Sequence, residues 1–317
     1  FPDYPLTWLG DEMQSSIFVE LDFTKEAKNA VTTAELFSNA TAETALRIPK
    51  VISANRRILV MEYIIGRRLD DVKFLDDNHI SRAEVSACLS HTFNKMIFTP
   101  NAGLHCDPHG GKPTSKNPHN FEIVLYDHGL YRFPSTQLRR DYAHFWLALL
   151  DHNQPEMKYY AKRFAQITDE QFPLFAAAIT GRSIDTALNY DISKPRSNEE
   201  IETMAAGLLH GSFLLQLMGL LARIPGVVLL ILKTNDLTRH LDECLQNPLG
   251  PERTFLIMTQ YCARMVYEEA CEAISDHYRR WSFIWLYKEV KAWFEYEKRK
   301  NELVFYDLAL WWKRRLM

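Results

Sequence analysis

The fold is decided by LHCDPHGGKPTSKNPHNFEIVLYDHGLYR, Leu104 to Arg132. A core segment has no need of isolated acids beside glycines, and a solvated loop has no need of the apolar run FEIVLY. Asp107 sits on a loop, after His105 and Cys106 and ahead of Pro108 and a Gly pair. Asp127 lies 20 residues further on, at the end of a predicted strand over Phe121–Tyr126, and is followed by His128 and Gly129. A loop, a short hairpin and a strand end can bring two such carboxylates across one pocket. In phosphoryl transfer one Asp accepts the hydroxyl proton and a second binds Mg²⁺ bridging the phosphates. Gly129 lets the backbone turn tightly beside such a metal. Taken singly, Asp107 reads as a turn cap before Pro108 and Asp127 as a turn opener; the pair together favours the site. A metallohydrolase with His105, Asp107 and His109 as ligands is the other chemistry these residues allow. Pro108 and the glycines disfavour the strand that this spacing would need.

Around this stretch, 317 residues with 47% hydrophobic and 24% charged content are ample for a sizeable core. The formal net charge of −3 argues against a general nucleic-acid binder. Cys88, Cys106, Cys244, Cys262 and Cys271 are scattered, odd in number and form no C-x-x-C pair, so neither a disulfide framework nor a zinc ribbon is expected. FPDYPLTWLG at Phe1–Gly10 has neither the basic start nor the apolar core of a signal peptide, and the chain reads as a piece of a longer one.

Lys25–Asn39 is rich in Ala, Glu and Lys and predicts a helix. Ile58–Tyr63, ILVMEY, predicts a strand, after which Gly66 changes direction. Ser81-Arg-Ala-Glu84 matches a capping box opening an amphipathic stretch to Phe98. From Thr136 the pattern is helical almost to the end, with loops near Pro195 and Pro248–Pro251. The apolar run Leu209–Leu232 is interrupted by Arg223 and Pro225, which predicts two buried helices rather than a membrane span. Few strands near the start and many helices after them give an α+β plan.

LHCDPHGGK together with YDHGLYR resembles the signature of the UbiB-type, or aarF-domain, atypical kinase-like family, His-x-Asp-Pro-His-x-Gly-Asn followed by Asp-x-Gly, at all but one position. Glu20-Leu21-Asp22 resembles that family's Glu-x-Asp motif, and Glu26 takes the place of its helix-C glutamate. IPKV at Ile48–Val51 and LVMEYIIGRRLDD at Leu59–Asp71 resemble the approach to the hinge and the hinge. LARIPGVVLLILKTNDLTRHLD resembles its helical C-terminal part. The likeness spans roughly Leu6 to Tyr267 and is closest to the mitochondrial, fungal-type branch.

The resemblance implies a protein-kinase-like fold with a truncated N-lobe and a mostly helical C-lobe. Residues 1–71 would be the N-lobe remnant with the hinge, 72–267 the C-lobe, and 268–317 a helical extension. It implies Asp107 in the catalytic loop, Asp127 on the metal, Glu26 paired with a nucleotide-binding lysine, and backbone groups of Glu62, Tyr63 and Ile64 against adenine. Glu20 and Asp22 would lie over the nucleotide. The cofactors implied are ATP and Mg²⁺, and the setting is mitochondrial lipid or coenzyme Q homeostasis at the inner membrane.

Two departures bear on this. Lys112 fills the slot of a metal-ligating Asn, and an ammonium group offers only donors; it would partly replace the cation's charge or touch a phosphate, or else the loop is shifted. The strand lysine, the Ala-rich loop and the Lys-x-Gly-Gln helix would all precede Phe1, so the piece by itself is expected to bind Mg-ATP weakly. Cys106 stands where many protein kinases have Arg. The short LYRFPSTQ after Gly129, with no Ala-Pro-Glu, leaves little room for a peptide-docking loop. A small-molecule or lipid substrate is expected instead. The alternative is a catalytically inactive kinase-fold module that binds a lipid or protein partner. At the C-terminus, Trp281–Met317 holds five of the seven tryptophans, and Trp311-Trp312 precede Lys313, Arg314 and Arg315. That composition suits peripheral membrane contact or, alternatively, a terminal packing helix.

Overall fold

The computed structural model describes residues 7–104, 111–113, 118–188, 197, 199–200, 202 and 211–315. Near the start, α1 (Thr7–Glu20), α2 (Phe23–Phe37) and α3 (Thr41–Thr44) precede the strands β1 (Leu46–Arg47), β2 (Val51–Ala54) and β3 (Leu59–Met61). Then come α4 (Val72–Asp77), α5 (Arg82–Phe98), β4 (Gly111–Pro113) and β5 (Phe121–Val124). Among the described residues the remaining elements are helices: α6 (Thr136–Leu150), α7 (Gln154–Ala165), α8 (Phe172–Thr180), α9 (Ile184–Leu188), α10 (Gly211–Leu221), α11 (Gly226–Cys244), α12 (Gly250–His277) and α13 (Phe283–Arg315). The α+β plan, with few strands ahead of a helical C-terminal part, is what forms.

Local chemistry sets several boundaries where the sequence places them. Ser81 Oγ accepts the Glu84 N–H at 3.4 Å and opens α5. The other half of the capping box does not close, because the Glu84 carboxylate turns to His119 at 3.2 Å. Pro225 is the N-cap of α11, so the apolar run divides between α10 and α11. Among the described residues no helix is long and apolar enough to cross a membrane. The predicted strand over Ile58–Tyr63 shortens to β3, which pairs antiparallel with β2 through a bulge between Val51 and Ser53.

The second sheet, ordered β1-β5-β4, carries the site. β5 runs parallel to β1 and antiparallel to β4, with Gly111 opposite Ile123 and Lys112 opposite Glu122. All four β5 residues are buried, as expected for a strand covered on both faces. Beneath it α5 and α6 supply Leu89, Met96, Ile97, Tyr142 and Phe145. Phe145, Phe164 and Phe175 meet edge to face with centroids 5.7–6.2 Å apart. Each such side chain contributes about 1.5–3 kcal/mol by leaving water, so β5 and the loop after it stand on a rigid floor.

Candidate functional site

β5 delivers Asp127 to the surface. Its carboxylate Oδ1 accepts the Gly129 N–H at 2.8 Å, an Asx-type turn that bends the chain after the strand. Between them His128 is buried, 1% exposed. Its Nε2–H donates to the Leu125 carbonyl at 3.1 Å, which leaves Nδ1 to accept the Tyr131 hydroxyl at 2.8 Å. The imidazole is thus a packed, hydrogen-bonded anchor under an exposed acid.

α2 is docked on this turn by one face. Asn29 Nδ2 donates to the His128 carbonyl at 2.9 Å, and Glu26 Oε1 accepts the His128 N–H at 3.4 Å. Thr33 Oγ1 lies 3.1 Å from the Tyr131 oxygen and 2.8 Å from the Asn29 carbonyl. Glu26, Asn29 and Thr33 are spaced i, i+3, i+7, one stripe of a helix.

Three carboxylates gather at Gly129. A Cβ built there would lie 3.3 Å from Asp127 Oδ1, 3.4 Å from Glu20 Cγ and 3.9 Å from Glu26 Oε2. Partial burial holds the Glu26 carboxyl above its ordinary value, and the Asp127 and Glu20 charges push the same way against the His128 N–H. Among the described residues Glu26 has no cationic partner. The cluster therefore calls for positive charge, and oxygen donors of this kind suit Mg²⁺. Among the described residues, however, no three side chains converge as a complete metal-binding set. Asp127 would be one ligand, with the remainder from phosphate, water or residues outside the described ones.

The other predicted site residues divide. Glu20 closes α1 beside Gly129. Asp22 is the N-cap of α2, accepting Thr24 N at 3.1 Å and Thr24 Oγ1 at 2.6 Å, and the Thr24 hydroxyl holds its carboxyl below the usual range. The Glu62 carboxylate is engaged by Arg47 at 2.5 Å and by Lys50 N at 3.3 Å. The Glu62 N–H donates to the Lys50 carbonyl at 2.8 Å. Tyr63 is 86% exposed, whereas Ile64 is buried and its carbonyl accepts the Tyr126 hydroxyl. The Tyr126 bond ties the predicted hinge to the residue just before Asp127.

Asp107 lies outside the described residues, as do His105, Cys106 and His109, so its distance from Asp127 is not among the described geometry. The backbone of Lys112 lies in β4, and its side chain also falls outside. The chain is nevertheless pinned on both sides of Asp107: Leu104 bridges Arg132, and Gly111 pairs with Ile123.

Arg47 is a residue the sequence did not flag. It joins Glu62 at 2.5 Å to Glu122 at 3.2 Å, linking the predicted hinge to β5. Asn29, Thr33 and Tyr131 were missed as well, although the helical spacing from Glu26 marks the first two.

Comparison with known proteins gives the family. The ABC1 atypical kinase-like domain matches residues 1–161. The chain is 66% identical to the ABC1 family protein MCP2 of Saccharomyces cerevisiae over 323 residues, covering 99% of this chain and 57% of that protein. It is 45% identical to the MCP2 homolog of Schizosaccharomyces pombe over 288 residues, covering 89% and 51%. Against AarF domain-containing protein kinase 1 of Gallus gallus the identity is 32% over 319 residues, covering 99% and 58%. The chain spans about half the length of the curated relatives it matches. An α+β body with a helical C-lobe, an Asp-His-Gly turn clasped by a helix glutamate, and these matches together make the chain a member of the ABC1, or AarF-domain, atypical kinase-like family.

Proposed function

We propose that this chain supplies the Mg-ATP site of an atypical kinase or ATPase acting on a small-molecule or lipid-linked substrate in mitochondrial lipid or coenzyme Q homeostasis. The observation that carries the reading is the acidic cluster of Glu20, Glu26 and Asp127 around Gly129, held by the His128–Asn29 clasp. A partly buried glutamate with raised carboxyl and no cation beside it among the described residues is a receptor for one. In this reading Asp127 holds Mg²⁺, which when bound neutralises phosphate charge. Glu26 orients a lysine ammonium contributed from elsewhere in the protein, and Glu20 and Asp22 border the nucleotide. The hinge backbone at Glu62–Ile64 faces adenine, with the Tyr126 bond fixing its distance from Asp127. Lys112 meets a phosphate, and Asp107 takes the substrate hydroxyl proton. The pinned positions of Leu104 and Gly111, each paired to chain flanking Asp127, support that last placement. Residues 1–71, 72–267 and 268–317 are the corresponding N-lobe part, C-lobe and extension.

The test is ATP binding and turnover by the full-length protein, with Mn²⁺ electron paramagnetic resonance reporting the metal. Asp127→Asn should abolish ATP-dependent Mn²⁺ binding, and Glu26→Gln should weaken ATP binding at least tenfold. Undiminished Mn-ATP affinity in Asp127→Asn would remove Asp127 from the metal site, and no ATP binding by the full-length protein would leave the alternative, an inactive kinase-fold module.

Membrane contact is part of the proposal. On α13, Phe283, Tyr287, Val290, Phe294, Phe305, Leu308 and Trp312 recur at three- and four-residue steps (with a polar break at Glu297–Asn301) and are exposed, Phe283 by 94% and Trp312 by 63%. The opposite face packs on the body: Leu303 is buried, Tyr296 stacks on Tyr267 with centroids 4.8 Å apart, and Asp307 meets Arg253 at 3.8 Å. An aromatic face turned outward beside Lys291 and Lys298 fits the interface of an anionic bilayer, here the mitochondrial inner membrane. The side chain of Trp311 lies outside the described residues. Flotation with anionic vesicles checks this: Phe305→Ser with Trp312→Ser should release the protein, and unchanged flotation would remove the membrane role.

A further inference from the structure

A cavity of about 410 Å³ opens among α5, α8, α11 and α12, lined by no residue of α2 or of the Asp127 turn. Its apolar wall includes Phe93, Ile97, Trp146, Ile179, Phe255 and Met258. The volume falls within the range of small-molecule sites, roughly 300–1,000 Å³.

The polar part of the wall is selective in two ways. Its cations are already answered. Arg182 makes a two-pronged pair with Glu200 at 3.0 and 2.9 Å, and Arg239 donates to Asp236 at 2.7 Å and to the Thr180 carbonyl at 2.5 Å. The Asp242 carboxylate is held by Ser86 at 2.5 Å and Asn247 at 2.6 Å. An ion would gain little here.

Second, four of the wall's five hydroxyls, all but that of Thr254, have spent their protons. Ser90 donates to the Thr254 carbonyl at 3.4 Å, Thr180 to Ala176 at 2.7 Å, Thr234 to Leu230 at 2.7 Å and Thr238 to Thr234 at 2.7 Å. Asn94, 6% exposed, gives Nδ2 to the Ser90 carbonyl at 2.8 Å, which fixes its amide orientation. Its Oδ1 has no donor among the described residues. The N–H groups of Trp146 and Arg239 that lack acceptors are sealed beneath neighbouring atoms. Apart from the Thr254 hydroxyl, what faces the cavity is mainly apolar surface with oxygen acceptors.

We propose that this cavity is a binding site for an uncharged, largely apolar molecule carrying one hydroxyl, a hydrophobic alcohol, whose proton is received by Asn94 Oδ1. Buried acceptors discriminate for a ligand that can donate and against an isomer that cannot. The site is separate from the phosphoryl-transfer reading and stands or falls without it.

Nile red, a neutral apolar fluorophore, is the reporter. Saturable binding to the full-length protein is expected, and Ile179→Trp or Met258→Trp, which fill the cavity from different walls, should abolish it. 1-Decanol should displace the dye at about tenfold lower concentration than its isomer methyl nonyl ether, one neutral hydrogen bond separating them. Decanoate, which carries a charge the paired wall does not answer, should displace it poorly. In Asn94→Leu, checked for folding by circular dichroism, the alcohol and the ether should become equal. Equal displacement by alcohol and ether in the wild-type protein overturns the proposal. So does dye binding that survives the filled variants, or no saturable dye binding at all. The wild-type comparison needs no variant to fold.

Discussion

Arg47 offers the sharpest test of how the predicted hinge and β5 are joined. Its guanidinium bridges Glu62 Oε1 at 2.5 Å and Glu122 Oε2 at 3.2 Å. The Glu62 side chain is 37% exposed, so that half of the bridge contributes about 0.2–1 kcal/mol, as exposed pairs do. The Glu122 side chain is only 10% exposed on buried β5. Removing its partner strands a carboxylate, for which fully buried pairs cost about 3–5 kcal/mol. Arg47 itself is 27% exposed, which lowers that figure. Arg47→Met, which keeps the aliphatic stem, should therefore cost about 2–3 kcal/mol, roughly 5 °C in melting temperature for a chain of this size. Glu122→Gln should cost about 1 kcal/mol, since Arg47 retains Glu62. The double variant should be more stable than the sum of the two, by about 1–2 kcal/mol of coupling. Urea unfolding followed by circular dichroism measures all four species. Strict additivity, or a loss below about 0.5 kcal/mol for Arg47→Met, would refute the stranded-charge reasoning.

Other expectations follow from single positions. Gly129→Ala pushes a methyl within 3.4 Å of Asp127 and Glu20, so Mn-ATP affinity should drop about tenfold while the melting temperature moves little. Gly181 ends α8 at φ +60°, and a Cβ there would fall inside the Arg239 guanidinium; Gly181→Ala should destabilise by about 2 kcal/mol in thermal unfolding. The Glu26 carboxyl is raised in the fold, so its ionised form is disfavoured there. That penalty is absent below its ordinary value of 4.5 and grows as pH rises through the folded value. Glu26→Gln should therefore stabilise the protein at neutral pH, with the difference closing in acid, as pH-resolved denaturation would show. Buried Cys88, its thiol pushed up to about 12, should resist iodoacetamide at pH 7.5 in the folded protein and react on unfolding.

Much of the plan is legible in the chain itself. The β5 run, the Asp-His-Gly turn, the Ser81 cap and the division at Pro225 are all set by neighbours within a few residues. Alternation, capping and proline's missing donor act over that range. The family follows from the same short motifs. Glu26 shows the limit: within KEAK it reads as an acid on a solvated face, and only the fold lays it half-buried against His128, 102 positions away. Asn29 reaches His128 across 99 positions, and Arg47 reaches Glu122 across 75. The second half of the Ser81 capping box failed for the same reason, because His119, distant in sequence, took the glutamate. The outward face of α13 and the acceptor wall around Asn94 depend on which helix side meets its neighbours and which hydroxyl protons are spent. Local pattern determines that an apolar stripe or a polar group exists. Packing of distant segments decides whether it is covered, paired or left open, because burial and partnership are properties of the assembled surfaces and not of the chain's local order.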